Sequence, residues 1–302
     1  MVPAVNPSAD AAPTVSELRP GQELSGVFAC SRKDRLTTKT GSPYLAIELR
    51  DRTGAIPARA FRDADVLSGR FERGDLVQVA GRVERFRDEL QIDLRTIARV
   101  EPGTVDPAAF LPTAYRDVEE LDGFLEHLAS EVFHPGDKAL LEVLLGDAAL
   151  RAEWRRAPCT RTGHHAYLGG LLEHTVAVGT LALEVRQLHV RLDSDLLITA
   201  ALVHDLGKTR EFTYGAEIGL TEEGRLLGHI ELGLRLLREY AARVPALDAE
   251  RETAIAHCVL THHGPDPAPG RRFASAEALA LARINSLDAT VKGALEHGLY
   301  PS

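Results

Sequence analysis

Residues 194–208 read SDLLITAALVHDLGK, and this stretch decides how the second half of the chain is built. Leu197, Ala200 and Ala201 recur at helical spacing and lead to His204, followed at once by Asp205. The period predicts a helix over 194–206, stopped by Gly207. A histidine and an aspartate thus end a face that should be buried.

Three more helices repeat the anomaly. Over 169–188 the stripe Leu171, Val178, Leu181, Val185 has His174 in its missing place. Over 221–243 the stripe Leu226, Leu232, Leu236 contains His229, and over 275–297 the stripe Leu281, Ile284, Val291, Leu295 contains Asp288. One histidine on an apolar face is ordinarily a hydrogen-bonded core residue. An unpaired buried carboxylate is different, because its desolvation costs several kcal/mol. Four such coincidences, with the pair His262-His263 before Gly264-Pro265, have one shared solution in a cation. Nine of the 12 histidines fall between His164 and His263. Histidine is the commonest metal ligand.

Further helices are predicted over 118–132, 136–144 and 248–261. Upstream, the period changes to two. Leu45, Ile47 and Leu49 share one face, and alternation returns in residues 76–83 and 90–94. Turn signals at 39–43, 51–54, 73–75 and 87–89 separate about five short strands. A small closed barrel of OB-fold type fits residues 17–101. The predicted architecture is multidomain: a loose tail over 1–16, the β-barrel, a Pro-containing linker over 102–112, and an all-α domain over 113–302.

The chain has 302 residues, 44% apolar and 26% charged, which excludes disordered and low-complexity classes. No apolar run reaches the roughly 18–20 residues that cross a bilayer, and no signal peptide is evident, so a cytoplasmic protein without a membrane partner is expected. Cys30, Cys159 and Cys258 are scattered and odd in number, against a disulfide scaffold or a zinc ribbon. Residues 1–110 carry 16 basic and 16 acidic side chains, whereas the rest holds 19 against 28. Nucleic acid would therefore have to meet a local basic patch.

The order His174, His204-Asp205, Asp288 resembles the HD phosphohydrolase superfamily, and His229 with His262-His263 resembles its two-metal subset. The strings GHHAYLGGLLEHT (163–175), HDLGK (204–208), LLGHI (226–230) and HHG (262–264) narrow the likeness. With a barrel in front, the chain resembles the YhaM-type 3′–5′ exoribonucleases over about residues 17–300. Ala60-Phe61 departs from the tryptophan common there. The resemblance implies a metal-dependent phosphodiesterase that shortens single-stranded RNA, and single-stranded DNA as a second substrate, releasing nucleoside 5′-monophosphates. His174, His204, Asp205 and Asp288 would hold one ion, and Asp205 would bridge to a second held by His229, His262 and His263. Mixed nitrogen and oxygen ligands suit manganese first, then iron, cobalt or zinc, with magnesium the oxygen-preferring alternative. Asp205 is thus a catalytic candidate. Lys208 could meet a phosphate oxygen or merely end a helix, and His165 could donate to phosphate or protonate the leaving oxygen.

In the barrel, Arg32, Lys33, Arg35 and Lys39 cluster, and Phe28, Tyr44, Phe61 and Phe86 offer stacking faces for single-stranded RNA. Some of these rings could instead be barrel core, and the basic run a solvated loop. Two other readings compete: a phosphohydrolase of small or signalling nucleotides with a regulatory barrel, and a non-catalytic nucleic-acid-binding protein. The GYP string of cyclic-di-GMP enzymes is absent, since Gly264 is followed by Pro265-Asp266-Pro267. Assembly into a homo-oligomer stays open.

Overall fold

The computed structural model describes residues 13–38, 40–101, 103–265 and 272–299. The chain divides into two compact units that part between Pro112 and Thr113, with the turn 214–218 grouping with the first.

The first unit is a closed barrel in the order β1-β2-β3-β5-β4. Its strands are β1 (Glu23–Thr37), β2 (Pro43–Asp51), β3 (Gly54–Ala60), β4 (Leu76–Phe86) and β5 (Glu89–Arg99), with helix α1 (Ala64–Ser68) between β3 and β4. All pairings are antiparallel except β3 with β5, where Ala58 faces Ile92 and Arg59 faces Asp93. Alternation explains the interior: Leu45, Leu49, Val77, Val79, Val83, Ile92 and Ile97 point inward and are fully buried. Leu24, Phe28 and Cys30 keep the same inward parity on β1, and the register against β2 shifts just beyond, between Cys30 and Arg32. Of the tail expected over 1–16, only residues 13–16 are among the described residues. The Val15 amide donates to Asp51 Oδ2 (2.7 Å) and the Ser16 amide to Thr53 Oγ1 (3.1 Å), because the β2–β3 turn offers acceptors there.

The second unit is helical. It comprises α2 (Val118–Ser130), α3 (Pro135–Gly146), α4 (Ala148–Arg156), α5 (Gly170–Leu188), α6 (Ser194–Val203) and α7 (Lys208–Glu211). A small hairpin, β6 (Phe212–Tyr214) and β7 (Ile218–Leu220), precedes α8 (Glu222–Ala241), α9 (Ala249–Thr261) and α10 (Ala276–His297). Asp117, Asp147, Asp193, Thr221, Asp248 and Ser275 each accept a backbone N–H at a helix start, which fixes where these helices begin. Every residue from Leu196 to Val203 is buried, so α6 is the centre of the bundle. Arg251 of α9 ties the buried Asp137 of α3 to Asp193 at the α6 start. Helix α4 is absent from the sequence expectation. Among the described residues no helix is long and apolar enough to cross a membrane.

Candidate metal centre and nucleic-acid face

Helix α6 delivers His204 and Asp205 into the middle of the bundle, and three other elements bring histidines to meet them. His174 (α5), His204 and His262 (after α9) are fully buried, and each points Nδ1 at an acceptor: Asp288 Oδ2 at 2.6 Å, the Ala201 carbonyl at 2.8 Å and the Val259 carbonyl at 2.5 Å. A neutral imidazole carries one proton, so donation through Nδ1 leaves a lone pair on each Nε2. Those three lone pairs face Asp205. His174 Nε2 and His204 Nε2 lie 3.5 and 3.3 Å from Oδ2, and His262 Nε2 lies 3.4 Å from Oδ1. His229 Nε2 stands 3.5 Å from the same Oδ1 and 3.0 Å from His263 Nε2.

Acceptors therefore face acceptors. Asp205 Oδ1 and His262 Nε2 are buried with no hydrogen-bond partner among the described residues. Orphaned groups of this kind cost about 1–3 kcal/mol each, more when charged. A divalent cation fits the donor set, since it takes imidazole lone pairs and carboxylate charge together, and the Nδ1 partners are the outer contacts that orient such ligands. Among the described residues, two groups of donor atoms close enough for coordination share Asp205: Asp205 with His229, His262 and His263, and Asp205 with His174 and His204.

Two glycines make the convergence feasible. A β-carbon on Gly207 would strike the His229 carbonyl and the Gly233 amide, so only glycine lets α8 reach the His204-Asp205 turn. Gly228 has φ +70°, and its non-helical geometry breaks α8 just before His229. This corrects the sequence reading of α8 as one continuous face, for Leu226 is exposed rather than on the stripe of Leu232 and Leu236. On α10 the stripe likewise ends early, with Val291 and Leu295 exposed.

Lys208 is buried, and its ammonium donates to Asp205 Oδ2 (2.7 Å) and to Cys159 Sγ (3.3 Å). Burial opposes the charge of Asp205, but the Lys208 ammonium beside it outweighs that and holds the carboxyl well below its usual range. Burial pushes the Cys159 thiol up to about 12 against the pull of Lys208. Burial, with neighbouring charge, depresses His174 and His164 to about 4 and His263 to about 3, which keeps these rings neutral near pH 7.

The structure differs from expectation at two residues. Asp288 stands at the Nδ1 edge of His174, grouped with His165 and His174 rather than with His204 and Asp205. His165 is 2% exposed and does not meet the open cavity: its Nε2 is 3.1 Å from Asp288 Oδ2 and its Nδ1 is 2.9 Å from Tyr167 Oη. The Tyr167 hydroxyl in turn donates to Glu173 Oε2 (2.7 Å), and Lys292 donates to Glu173 Oε1 (3.0 Å). Burial lowers the His165 affinity for a proton, yet Asp288 and Glu173 raise it further, so its net shift is upward. Asn285 also escaped the sequence reading. Its Oδ1 lies 2.9 Å from the bare His174 Nε2, one more acceptor facing that lone pair, and its Nδ2 donates to the His262 carbonyl (3.2 Å); its place one turn before Asp288 was the available signal. A cavity of about 310 Å³ opens beside the centre, lined by His164, Lys208, His262, His263, Phe273 and Arg283 among others.

On the barrel, Phe28 is buried in the core and offers no face to a base, a correction that follows from the inward alternation of β1. Tyr44 and Phe61 stack on each other at 5.3 Å, with Phe61 half exposed. Phe86 is exposed, and the guanidinium groups of Arg59 and Arg87 each lie 5.3 Å from its ring centre. Arg59 and Arg87 were missed, though Arg59 sits between inward Ala58 and Ala60 and so must point out. Lys33 is spent internally on the Phe71 carbonyl (2.6 Å) and Glu72, while Arg32 pairs with Asp34 and Arg35 with Asp65. Lys39 lies outside the described residues.

A closed five-stranded barrel and a helical unit that gathers His and Asp side chains at its centre define an OB-fold joined to an HD-type hydrolase. Residues 171–291 match the HD domain family, and residues 30–99 match the OB-fold nucleic acid binding domain family. The 3′-5′ exoribonuclease YhaM of Bacillus velezensis is 30% identical over 245 residues, 81% of this chain and 77% of that protein. The YhaM of Bacillus licheniformis is 29% identical over 273 residues, 90% of this chain and 86% of that one. The second OB-fold domain of replication protein A from Methanococcus maripaludis, at 22% identity, aligns with 30% of this chain and 96% of its own, with a TM-score of 0.24. The chain belongs to the YhaM 3′-5′ exoribonuclease family.

Proposed function

We propose that this protein is a divalent-metal-dependent 3′–5′ exoribonuclease that removes nucleoside 5′-monophosphates from single-stranded RNA, with single-stranded DNA as a further substrate. One observation carries the reading: three buried imidazoles donate through Nδ1 and turn their Nε2 lone pairs on one buried aspartate. His174, His204 and Asp205 would hold one ion, and His229, His262 and His263 a second shared through Asp205, with manganese the expected metal. A divalent ion bound there acidifies water and neutralises charge on a phosphodiester. The protein's own groups do the rest. Asp288 fixes the tautomer of His174, and His165 positions Asp288, in turn held by Tyr167 and Glu173. Lys208, at the cavity wall, offers its ammonium to a phosphate oxygen. Residues 17–101 form the nucleic-acid-binding barrel, and 113–302 the catalytic domain after the linker 102–112. Tyr44, Phe61, Arg59 and Phe86 would stack and pair with successive nucleotides of the single strand.

The test uses the full chain with manganese on 5′-labelled and 3′-labelled RNA and DNA 20-mers, beside free nucleotides and cyclic dinucleotides. Shortening from the 3′ end with nucleoside 5′-monophosphates as product is expected. Nucleoside 3′-monophosphates, or cuts in a circular RNA, would overturn the direction. Faster turnover of cyclic dinucleotides than of RNA would favour the signalling-nucleotide reading. Asp205→Ala should lose bound manganese and activity while keeping its helical circular dichroism, and His257→Ala should lose neither.

A further inference from the structure

Cys159 has no role assigned in the centre just described, yet its sulfur, 3.9 Å from Asp205 Oδ2, is surrounded by groups that bear on metal binding. His164 Nε2 lies 3.5 Å from Sγ, and Sγ, a His164 nitrogen and a His174 nitrogen all lie within 4.8 Å of one another. A tetrahedral cation with bonds of about 2.3 Å to sulfur and 2.0–2.1 Å to nitrogen requires those two donors to stand roughly 3.5 Å apart. The observed spacing meets that requirement without movement of either side chain. Access exists as well, because His164 and Lys208, both in contact with Sγ, line the 310 Å³ cavity. The other two cysteines differ: Cys30 and Cys258 are buried in the two apolar cores, and neither joins a group of potential ligands among the described residues.

We propose that Cys159, His164 and His174 form a site for a soft divalent cation, zinc or cadmium, and that its occupation inhibits the enzyme by taking His174 from the His/Asp centre. Ligand softness separates the two sites. A thiolate selects zinc and cadmium, whereas nitrogen and carboxylate donors serve manganese. On binding, the Cys159 proton leaves to water and the Sγ–metal bond forms. Lys208 then relinquishes its contact with sulfur but keeps Asp205, to which it already donates at 2.7 Å. Competition for one imidazole makes the two occupancies mutually unfavourable.

The binding claim stands apart from the nuclease reading, and the inhibition claim rests on it. Cadmium chloride is titrated into the ion-free full chain while the sulfur-to-cadmium charge-transfer absorbance in the ultraviolet is followed. Wild type and Cys258→Ser should show the band, Cys159→Ser should lose it, and His164→Ala should need at least tenfold more cadmium. A band retained in Cys159→Ser overturns the site, as does one indifferent to His164→Ala, a partly buried position outside the hydrophobic core clusters. In the manganese-supported RNA assay, the cadmium concentration that halves each protein's own rate should rise at least tenfold in Cys159→Ser. Equal sensitivity overturns the inhibitory role. An absorbance band in a chain that cuts no RNA would uphold the site and reject the nuclease reading alone.

Discussion

The carbonyl oxygen of His229 lies so close to Gly207 that a β-carbon at residue 207 would fall 1.9 Å from it. The contact is backbone against backbone, so no rotamer relieves it. It sets the distance between the turn that carries Asp205 and the part of α8 just past the Gly228 break, which carries His229.

Gly207→Ala should therefore push α8 away and separate His229 from Asp205. Overpacking of this kind costs about 1–3 kcal/mol, and in a chain of this size each kcal/mol lowers Tm by roughly 2–4 °C. The expected result is a Tm lowered by several degrees, with manganese affinity reduced at least tenfold by calorimetry. Unchanged affinity would mean that His229 is not a ligand.

On the barrel, Phe61→Ala and Phe86→Ala should weaken binding of a single-stranded 20-mer. Stacking is worth roughly 1–3 kcal/mol per base, or about five- to 150-fold in Kd. Phe28→Ala should instead unfold the barrel, since truncating a buried phenylalanine costs about 3–5 kcal/mol. Fluorescence anisotropy with a labelled oligomer, beside thermal melts, separates the two effects. Full affinity in the Phe61 and Phe86 variants would remove this face as the binding surface.

Acid should destabilise the ion-free protein before its carboxylates titrate. His164 and His174 are depressed to about 4 and His263 to about 3, against 6.5 unfolded. Between about pH 6.5 and pH 4 the unfolded chain binds more protons than the folded one, so stability rises with pH across that window and is lost as pH falls through it. The urea midpoint should drop from pH 7 to pH 5. A midpoint that holds or rises would show these rings to be charged or solvated in the folded state.

Much of this arrangement could be read from the chain. The period of two in β2, β4 and β5, and the apolar spacing that isolates His174 and His204, come from burial on one face, which sequence records directly. Helix α4 could not be read so, because only Leu150 and Trp154 of its nine residues are buried, too few to show a period. Backbone geometry was equally silent. Gly228 breaks α8 by adopting φ +70°, and nothing in LLGHI distinguishes that glycine from a tolerated one. The edge of His174 that meets Asp288 depends on ring rotation about one bond, beyond the reach of spacing. Phe28 was legible in principle, since Leu24 and Phe28 keep the inward parity of β1.

Lys208 has a consequence for how the molecule is made. Its ammonium sits inside the fold against Asp205, so the negative charge at the heart of the bundle already has a counter-ion supplied by the same polypeptide. Small metal-nucleated domains stay unfolded until their ion arrives, since nothing else quenches the repulsion among their ligands. Here the bundle can close around its own cation first and take up metal afterwards from the cavity side. Assembly and loading become separate events. On the proposed metal-dependent reading, a newly made chain would then be a compact but idle protein, switched on by the metal supply of its surroundings rather than by the act of folding.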